Sequence, residues 1–394
     1  MLFQTLDDKE SCIAVYAEGQ LIKELPDNLT RTWSYSSFLK NRDIEYAYLY
    51  SQGKKLNELV PASIEPQWKN INAKLKAFLR SFKLAKVSLE DNCFFDLVPV
   101  RFLTEYCELK NIITQHVFDI FPKPENYEFL VELTKVLADI KSKKLNIDLN
   151  SIQHKMHKPN IRALIRSVRK SNKCVDYDIF GTKTGRLTTK RKSFPVLTMN
   201  KECRSILKPK NDFFLELDYN AAEVRTILAL LDIEQPTDDL HEVHRKEIFN
   251  GELSREETKI KTFEWLYNPV CKNDKLDGLY SKERILNEYW DGERITNPFN
   301  RVIESDRFHA VNTIMQSTFA DIFLRQKIKI NKYLCDKNSE LVLSIHDCVL
   351  LDMTREEKDI IPELIKLFTK TDLGDFRVNV KMGKNFGEMK NCTI

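Results

Sequence analysis

At 394 residues and 42% hydrophobic, the chain can bury a large core and is long enough for two or three domains. Lys+Arg exceed Asp+Glu by 62 to 58, so the near-neutral overall charge singles out no partner. Nine scattered cysteines with no C-x-x-C pair exclude a disulfide framework and a zinc ribbon, and fit buried thiols in a reducing compartment.

Met1 to Asp8 carry no basic stretch leading into an apolar core, and no apolar run approaches the ~20 residues that span a bilayer. A soluble, intracellular protein with no membrane partner is expected. Its place is a cytoplasm (a host's, were the source viral), with an organelle left open. Residues 1 to 65 read as short strands and turns, with strands over 12–16 and 21–25 around a Glu18-Gly19 turn. Ile71, Leu75, Phe78, Leu79 and Phe82 predict a helix over 66–84. Phe121-Pro122-Lys123-Pro124 marks a boundary. Beyond it Tyr127, Leu130, Leu133, Leu137 and Ile140 predict a long helix, and Pro159 opens a shorter, basic one. From Lys155 to Lys192 Lys and Arg recur with few acids. Such an excess suits a polyanion, because neutralising phosphates releases condensed counterions; a solvated helix face is the alternative. There is no internal repeat and no low-complexity segment.

From Asp178 onward four clusters carry chemistry. In Thr184-Gly185-Arg186-Leu187-Thr188-Thr189 the glycine permits close backbone approach, while Arg186 and the hydroxyls can bind phosphate or reach a minor groove. A simple turn is the alternative. Residues 213–217 predict a strand that delivers Asp218-Tyr219 at its C-terminal end, followed by a helix over 221–231. An aspartate there is exposed on a fixed backbone, which suits metal ligation, although a cap or turn is the commoner use. On a predicted helix over 254–267, Arg255, Lys259, Phe263 and Tyr267 recur every four residues and drift only ~40° per step, so they share one side. Two cations and two aromatics so aligned could hold a triphosphate and stack on a base, or be a cationic stem with a core contact. Residues 341–351 place two apolar runs around His346-Asp347, a β-hairpin with that pair at its tip. Beside Asp218, Asp347 would complete a pair able to hold two Mg²⁺ about 3.5–4 Å apart, the spacing for in-line phosphoryl transfer. His241-x2-His244 lacks a third ligand for a metal site of its own.

The order and content of these clusters are more specific than any one of them. Thr184-Gly185-Arg186-Leu187, Asp218-Tyr219 with Glu223 and Arg225, the Arg255 to Tyr267 array and His346-Asp347 resemble the motifs of family A DNA polymerases, the bacterial polymerase I and bacteriophage group, in a compact form. Asp239-Leu240-His241, Asn312-x3-Gln316 followed by Ala320-Asp321, and Val380-Lys381-Met382-Gly383-Lys384-Asn385-Phe386 resemble further family segments, so the likeness runs from about residue 120 to 394. It implies an α+β right-hand polymerase with an antiparallel-sheet palm, helical fingers and thumb, and a small mixed α/β N-terminal domain. The expected domains are 1–120, a reduced or degenerate exonuclease-like or accessory region; 121–180, thumb; 181–240, palm; 241–300, fingers; and 301–394, palm again.

The implied activity is DNA-templated addition of dNTPs to a primer 3′ end. Asp218 and Asp347, with the Tyr219 carbonyl, would ligate two Mg²⁺, for which Mn²⁺ could substitute. Lys259 and Arg255 would hold the triphosphate, Lys259 also protonating the leaving pyrophosphate, and His241 would assist. Phe263 would pack on the nucleotide, Tyr267 would fill the templating-base position, and Glu223 would crowd the sugar 2′ position. Arg186, Gln316 and His346 would read minor-groove acceptors, with Thr184, Asn312 and Arg225 as further DNA contacts. Primer-template DNA and dNTPs are the implied partners, and a short thumb suggests a processivity or replisome protein as another.

Some positions depart from the family. Cys348 stands where a third carboxylate is usual, Asn268 and Asn300 replace glycines, Asn220-Ala221 replaces a more polar pair, and Phe308 stands where an arginine is usual. In the N-terminal third, Asp8-Lys9-Glu10 and Asn92-x2-Phe95-Asp96 only faintly resemble exonuclease motifs, so no 3′–5′ proofreading is expected. The alternatives are a single-subunit RNA polymerase, against which Glu223 and Phe263 argue, and a non-catalytic DNA-binding relative, which would need none of the carboxylates.

Overall fold

The computed structural model describes every residue except Glu10, Leu25, Pro269, Thr393 and Ile394, with the side chains of Ser11, Cys12 and Ile13 set aside. The chain forms two compact units, Met1–Ala138 and Asp139–Ile394.

In the first unit, β1 (Phe3–Asp8), β2 (Ser11–Ala17) and β3 (Gln20–Ile22) form an antiparallel meander. Glu18 and Gly19 turn β2 into β3 with φ of 49° and 79°, the doubly left-handed geometry whose twist matches a two-residue hairpin. The return strand expected over 21–25 is thus Gln20–Ile22, with Leu25 outside the described residues, as is Glu10 of Asp8-Lys9-Glu10. Helix α1 (Glu65–Leu84) starts with proline in its first turn, where a missing N–H costs nothing, and buries Trp68 and Ile71. Helix α2 (Val100–Ile120) buries Phe102, Leu103, Cys107, Ile113 and Val117. It also takes up the amide nitrogen of the one polar side chain sealed inside β1, whose Oε1 has no partner among the described residues. Gln4, 0% exposed, donates to Asn111 at 2.9 Å and Thr114 at 3.0 Å. Helix α3 (Tyr127–Ser142) matches its apolar spacing, and the division between units falls within it.

The second unit opens with α4 (Pro159–Lys170), which buries Ile161, Ile165 and Val168 and exposes Arg162, Arg166, Arg169 and Lys170. At its centre lies a five-stranded antiparallel sheet of order β5-β6-β4-β7-β8. Its strands are β4 (Phe213–Tyr219), β5 (Glu340–Ile345), β6 (Cys348–Met353), β7 (Val378–Gly383) and β8 (Lys390–Asn391). Strand β4 is the middle strand, and every residue of it but Asp218 is buried. The same unit contains helices α5 (Ala222–Leu230), α6 (Leu240–Glu247), α7 (Arg255–Tyr267), α8 (Arg307–Tyr333) and α9 (Ile361–Thr369), with two short helices, Asp274–Leu279 and Lys282–Tyr289, and a small hairpin between α7 and α8. Asp239 caps α6, and Ser254 with Glu257 forms a reciprocal capping box on α7. The fold is therefore the expected mix of helices and antiparallel sheet. The eight cysteines whose side chains are described are free thiols, and among the described residues no helix is long and apolar enough to cross a membrane.

Lys327, in the middle of α8, is 0% exposed. Among the described residues its ammonium has no hydrogen-bond partner; it lies 5.0 Å from the ring centroid of Tyr177 and 5.5 Å from that of Phe323. Burial lowers its pKa from 10.5 to about 7. The unfolded chain binds the extra proton between those values, so stability should rise as pH climbs through that window. Lys327→Met keeps the stem's packing and removes the charge. It should raise the neutral-pH melting temperature, by the equivalent of a few kcal/mol in order of magnitude, and abolish that alkaline rise. Thermal unfolding of both proteins as a function of pH checks this, and a less stable variant would refute it.

Candidate active site

Strand register builds the site. Asp218 pairs with Cys348 of β6 on one side and Asn379 of β7 on the other. Strands β5 and β6 pair up to Ile345 and Cys348, so His346-Asp347 is a two-residue turn. Asp347 therefore sits one residue from the cross-strand partner of Asp218, and its carbonyl accepts from the Tyr219 N–H at 3.3 Å. His346 holds φ +52°, a left-handed conformation that costs a non-glycine residue on the order of 1 kcal/mol.

Core packing fixes this geometry. The Tyr219 hydroxyl donates to the Phe368 carbonyl at 2.6 Å, and its ring stacks on Phe368 at 4.3 Å with Phe319 and Phe376 edge-on at 5.6 and 5.9 Å. The Tyr177 hydroxyl donates to the Ser344 carbonyl at 2.5 Å and accepts from the Ser344 N–H at 2.9 Å, which braces β5 just before the turn.

Burial, then the neighbouring Asp347 and Glu216, push the Asp218 carboxyl up to about 7. Burial and then Glu223 raise Asp347 as well. Two desolvated oxygen donors that repel each other suit a hard divalent cation. Mg²⁺ binds through one or two carboxylates plus waters and substrate phosphates. Among the described residues no three His, Cys, Asp or Glu side chains converge on one point, so such an ion would complete its shell from water and substrate. The two carboxylates and the Tyr219 carbonyl fit that requirement.

These groups line a cleft of roughly 520 Å³ together with Arg255, Lys259, Phe263 and His241. Helix α7 buries Thr258, Thr262, Trp265 and Leu266 and so turns its Arg255, Lys259 and Phe263 side into the cleft. The Lys259 ammonium lies 5.7 Å from the centroid of the Phe263 ring. His241 is 3% exposed, and burial pulls its pKa down to about 4, so it is neutral at pH 7. Its Nδ1 has no hydrogen-bond partner among the described residues, and its ring meets Phe263 edge-on at 5.8 Å.

Tyr267 ends the same helix. Its hydroxyl donates to Glu223 Oε1 at 3.1 Å, and Arg186 Nη2 reaches that same oxygen at 3.4 Å. Arg186, Glu223, His346 and Asp347 line an adjoining hollow of roughly 350 Å³ with Tyr177 and Phe319. From α8, Asn312 Nδ2 donates to the Tyr267 carbonyl at 3.3 Å, and Gln316 lies half-buried one turn on. Thr184 lines a different groove, with Lys183, Arg294 and Asp306.

One expected contact is corrected. Arg225 is 0% exposed, and its guanidinium donates to the carbonyls of Asn220 at 2.9 Å, Pro236 at 2.8 Å and Asp238 at 2.8 Å. It organises the loop ahead of α6 and presents nothing to DNA. The sequence reading also missed supporting residues. Gly185 has φ +81°, and a Cβ there would lie 2.8 Å from the Arg301 guanidinium, which Asp321 pins at 2.6 Å. Asp239, read only as a neighbour of His241, binds both Asn220 and Arg255. Its place just ahead of a helix was the signal available. Asn300 stands at φ +61°, a conformation that favours glycine and that asparagine tolerates better than most residues.

Asp347→Asn removes the largest charge contribution to the Asp218 shift. The Asp218 carboxyl should then titrate below about 7. Carboxyl-carbon NMR shifts followed with pH in metal-free protein test this, and an unmoved Asp218 would show that the two groups do not sense each other.

No protein-family model matches the sequence, and no curated protein matches it. Among solved structures the fold is similar to the POL domain of Pol1 from M. smegmatis in complex with DNA primer-template and dNTP. The TM-score is 0.52 over 73% of this chain and 75% of that one, at 13% sequence identity. At that identity the likeness is one of fold alone.

Proposed function

We propose that the chain is a DNA-templated DNA polymerase of the family A kind. The observation that carries the proposal is the single cleft shared by Asp218, Asp347, Arg255, Lys259 and His241. The likeness to a polymerase domain supports it. In this reading the β4–β8 sheet is the palm, residues 241–300 are the fingers and 121–180 the thumb, with the basic face of α4 on duplex backbone. Residues 1–120 are a separate region without proofreading.

Two Mg²⁺ held by the Asp218 and Asp347 carboxylates and the Tyr219 carbonyl would activate the primer hydroxyl and neutralise phosphate charge. Arg255 and Lys259 bind the triphosphate, and Lys259 gives a proton to the departing pyrophosphate. Neutral His241 offers a ring nitrogen to the same phosphates. Phe263 packs against the nucleotide, Glu223 excludes a 2′-hydroxyl, and Tyr267, held by Glu223 and Asn312, occupies the templating-base position. Arg186, His346, Gln316 and Thr184 contact the primer-template duplex.

Primer extension with four dNTPs and Mg²⁺ tests the reading. Asp347→Asn should cut synthesis at least about a hundredfold while leaving DNA binding intact. Equal loss of both would favour a non-catalytic DNA-binding protein. Glu223→Ala should improve rNTP use relative to dNTP by about tenfold or more, and a wild type that already prefers rNTPs would point to an RNA polymerase. A mismatched primer 3′ end should survive incubation with Mg²⁺, and its excision would overturn the assignment of residues 1–120.

Metal dependence supplies a further check. A carboxyl raised from 3.8 to about 7 contributes stability present below the lower value and lost as pH rises through the upper one. Mg²⁺ should therefore raise the melting temperature more above pH 7 than below it, and Asp218→Asn should remove that difference.

A further inference from the structure

Arg255 is held before any ligand arrives. Its Nη2 and Nε donate to Asp239 Oδ2 at 2.7 and 3.3 Å, a side-on pairing that uses one edge of the guanidinium. The remaining nitrogen, Nη1, meets the exposed Glu256 carboxylate at 3.2 Å, a pairing that water and salt weaken. Asp239 Oδ2 also accepts from Asn220 Nδ2 at 3.0 Å. Asn220 is 2% exposed, follows Asp218-Tyr219 directly, and accepts from the Leu240 N–H at 3.3 Å. The other carboxylate oxygen caps α6, accepting from His241 N at 3.0 Å and Glu242 N at 3.2 Å. One side chain thus joins the end of β4, the start of α6 and the first residue of α7. Burial opposes ionisation of Asp239, but the hydrogen bonds from Arg255 and Asn220 prevail and hold its carboxyl down at about 2.

A guanidinium on a flexible stem at a helix start samples many rotamers, and an anion that binds it must offset their loss. Clamping one edge removes much of that freedom in advance and leaves the opposite edge of the fork for phosphate oxygens. We propose that Asp239 is a positioning residue for nucleotide binding: its carboxylate, oriented by Asn220, clamps one edge of Arg255 and presents the other to the incoming triphosphate. The proposal rests on the reading of this cleft as a triphosphate site.

A capping role alone makes a different prediction. Asparagine caps a helix about as well as aspartate, but its amide group cannot replace a carboxylate as the acceptor for Arg255 and Asn220 together. Asp239→Asn should therefore weaken binding of inorganic tripolyphosphate, measured by calorimetry without metal, by about tenfold, and raise KM for dNTP more than it lowers kcat. The melting temperature should stay near that of the wild type. Asn220→Ala, which keeps the carboxylate but frees it, should shift both quantities the same way by less, and it serves if Asp239→Asn fails to fold. Asp239→Glu should recover part of the affinity.

Wild-type binding of tripolyphosphate by Asp239→Asn and Asn220→Ala, or a fall in kcat with KM unmoved, overturns the proposal and leaves the polymerase reading standing. Loss of tripolyphosphate affinity in the variants of a wild type that extends no primer overturns the polymerase reading and leaves the clamp.

Discussion

The site depends on one register, that of β4 against β6 and β7. Asp218 pairs with Cys348, and the two-residue turn just before Cys348 carries Asp347, so the sheet itself forces two carboxylates together. A slip of one residue would send Asp218 to the opposite face of the sheet and break the site entirely. The arrangement is electrostatically costly: burial first, then repulsion from Asp347 and Glu216, pushes the Asp218 carboxyl up to about 7. What resists that repulsion lies outside the cleft. Five of the seven residues of β4 are apolar or aromatic and buried. Tyr219 is boxed by Phe368, Phe319 and Phe376, and Tyr177 locks the backbone of Ser344. Core packing is the source of stability that can hold a locally unfavourable turn such as His346 in place.

Helix α7 is attached to the segment after β4 at both ends, and each attachment is a carboxylate. Asp239, bound to Asn220, takes Arg255 at the start of the helix, and Glu223 takes the Tyr267 hydroxyl at its end. Asn312 adds a hold on the Tyr267 carbonyl. Between these points Lys259 and Phe263 face the cleft, while Trp265 and Leu266 anchor the opposite side in a hydrophobic cluster that runs through α5, α6 and α8. Arg255 is thus pre-oriented by a carboxylate on one edge, while the helix that carries it is anchored by apolar contacts on its opposite side.

Much of this was legible in the sequence because it is periodic. The spacing-four array of α7, the apolar runs flanking His346-Asp347, the strand ending at Asp218 and the basic face of α4 all follow from local pattern. What stayed hidden depends on where the chain goes afterwards. Arg225 lies on a short helix beside Glu223, and nothing local distinguishes an exposed arginine from one around which the loop through Pro236 and Asp238 folds its carbonyls. Lys327 likewise reads as an ordinary cation on a long helix, and it is tertiary packing, with the Tyr177 ring 5.0 Å from its ammonium, that seals it from water. Helix α2 carries the same local signal in its buried Phe102, Leu103, Ile113 and Val117.

The same sheet face explains what Cys348 does to the charge of the site. The thiol is buried directly opposite Asp218, and burial, followed by Glu216, Asp218 and Asp347, keeps it neutral by raising its pKa well above that of an exposed cysteine. A carboxylate at that position would add another negative charge to a pair already strained by repulsion. The face also carries Glu216, two residues before Asp218, which Lys381 of the adjacent β7 neutralises at 2.6 Å, and Asp352, whose oxygens accept from the backbone N–H groups of Lys210 and Asn211. Glu216 is paired with Lys381 and Cys348 contributes no charge, so Asp218 and Asp347 carry the negative charge of this corner, with Glu223, Arg255 and Lys259 adding to the field from the rest of the cleft lining. Under the proposed function, a cation entering there would take the two carboxylates and the Tyr219 carbonyl as ligands, with its remaining positions left for water and the phosphates of a substrate.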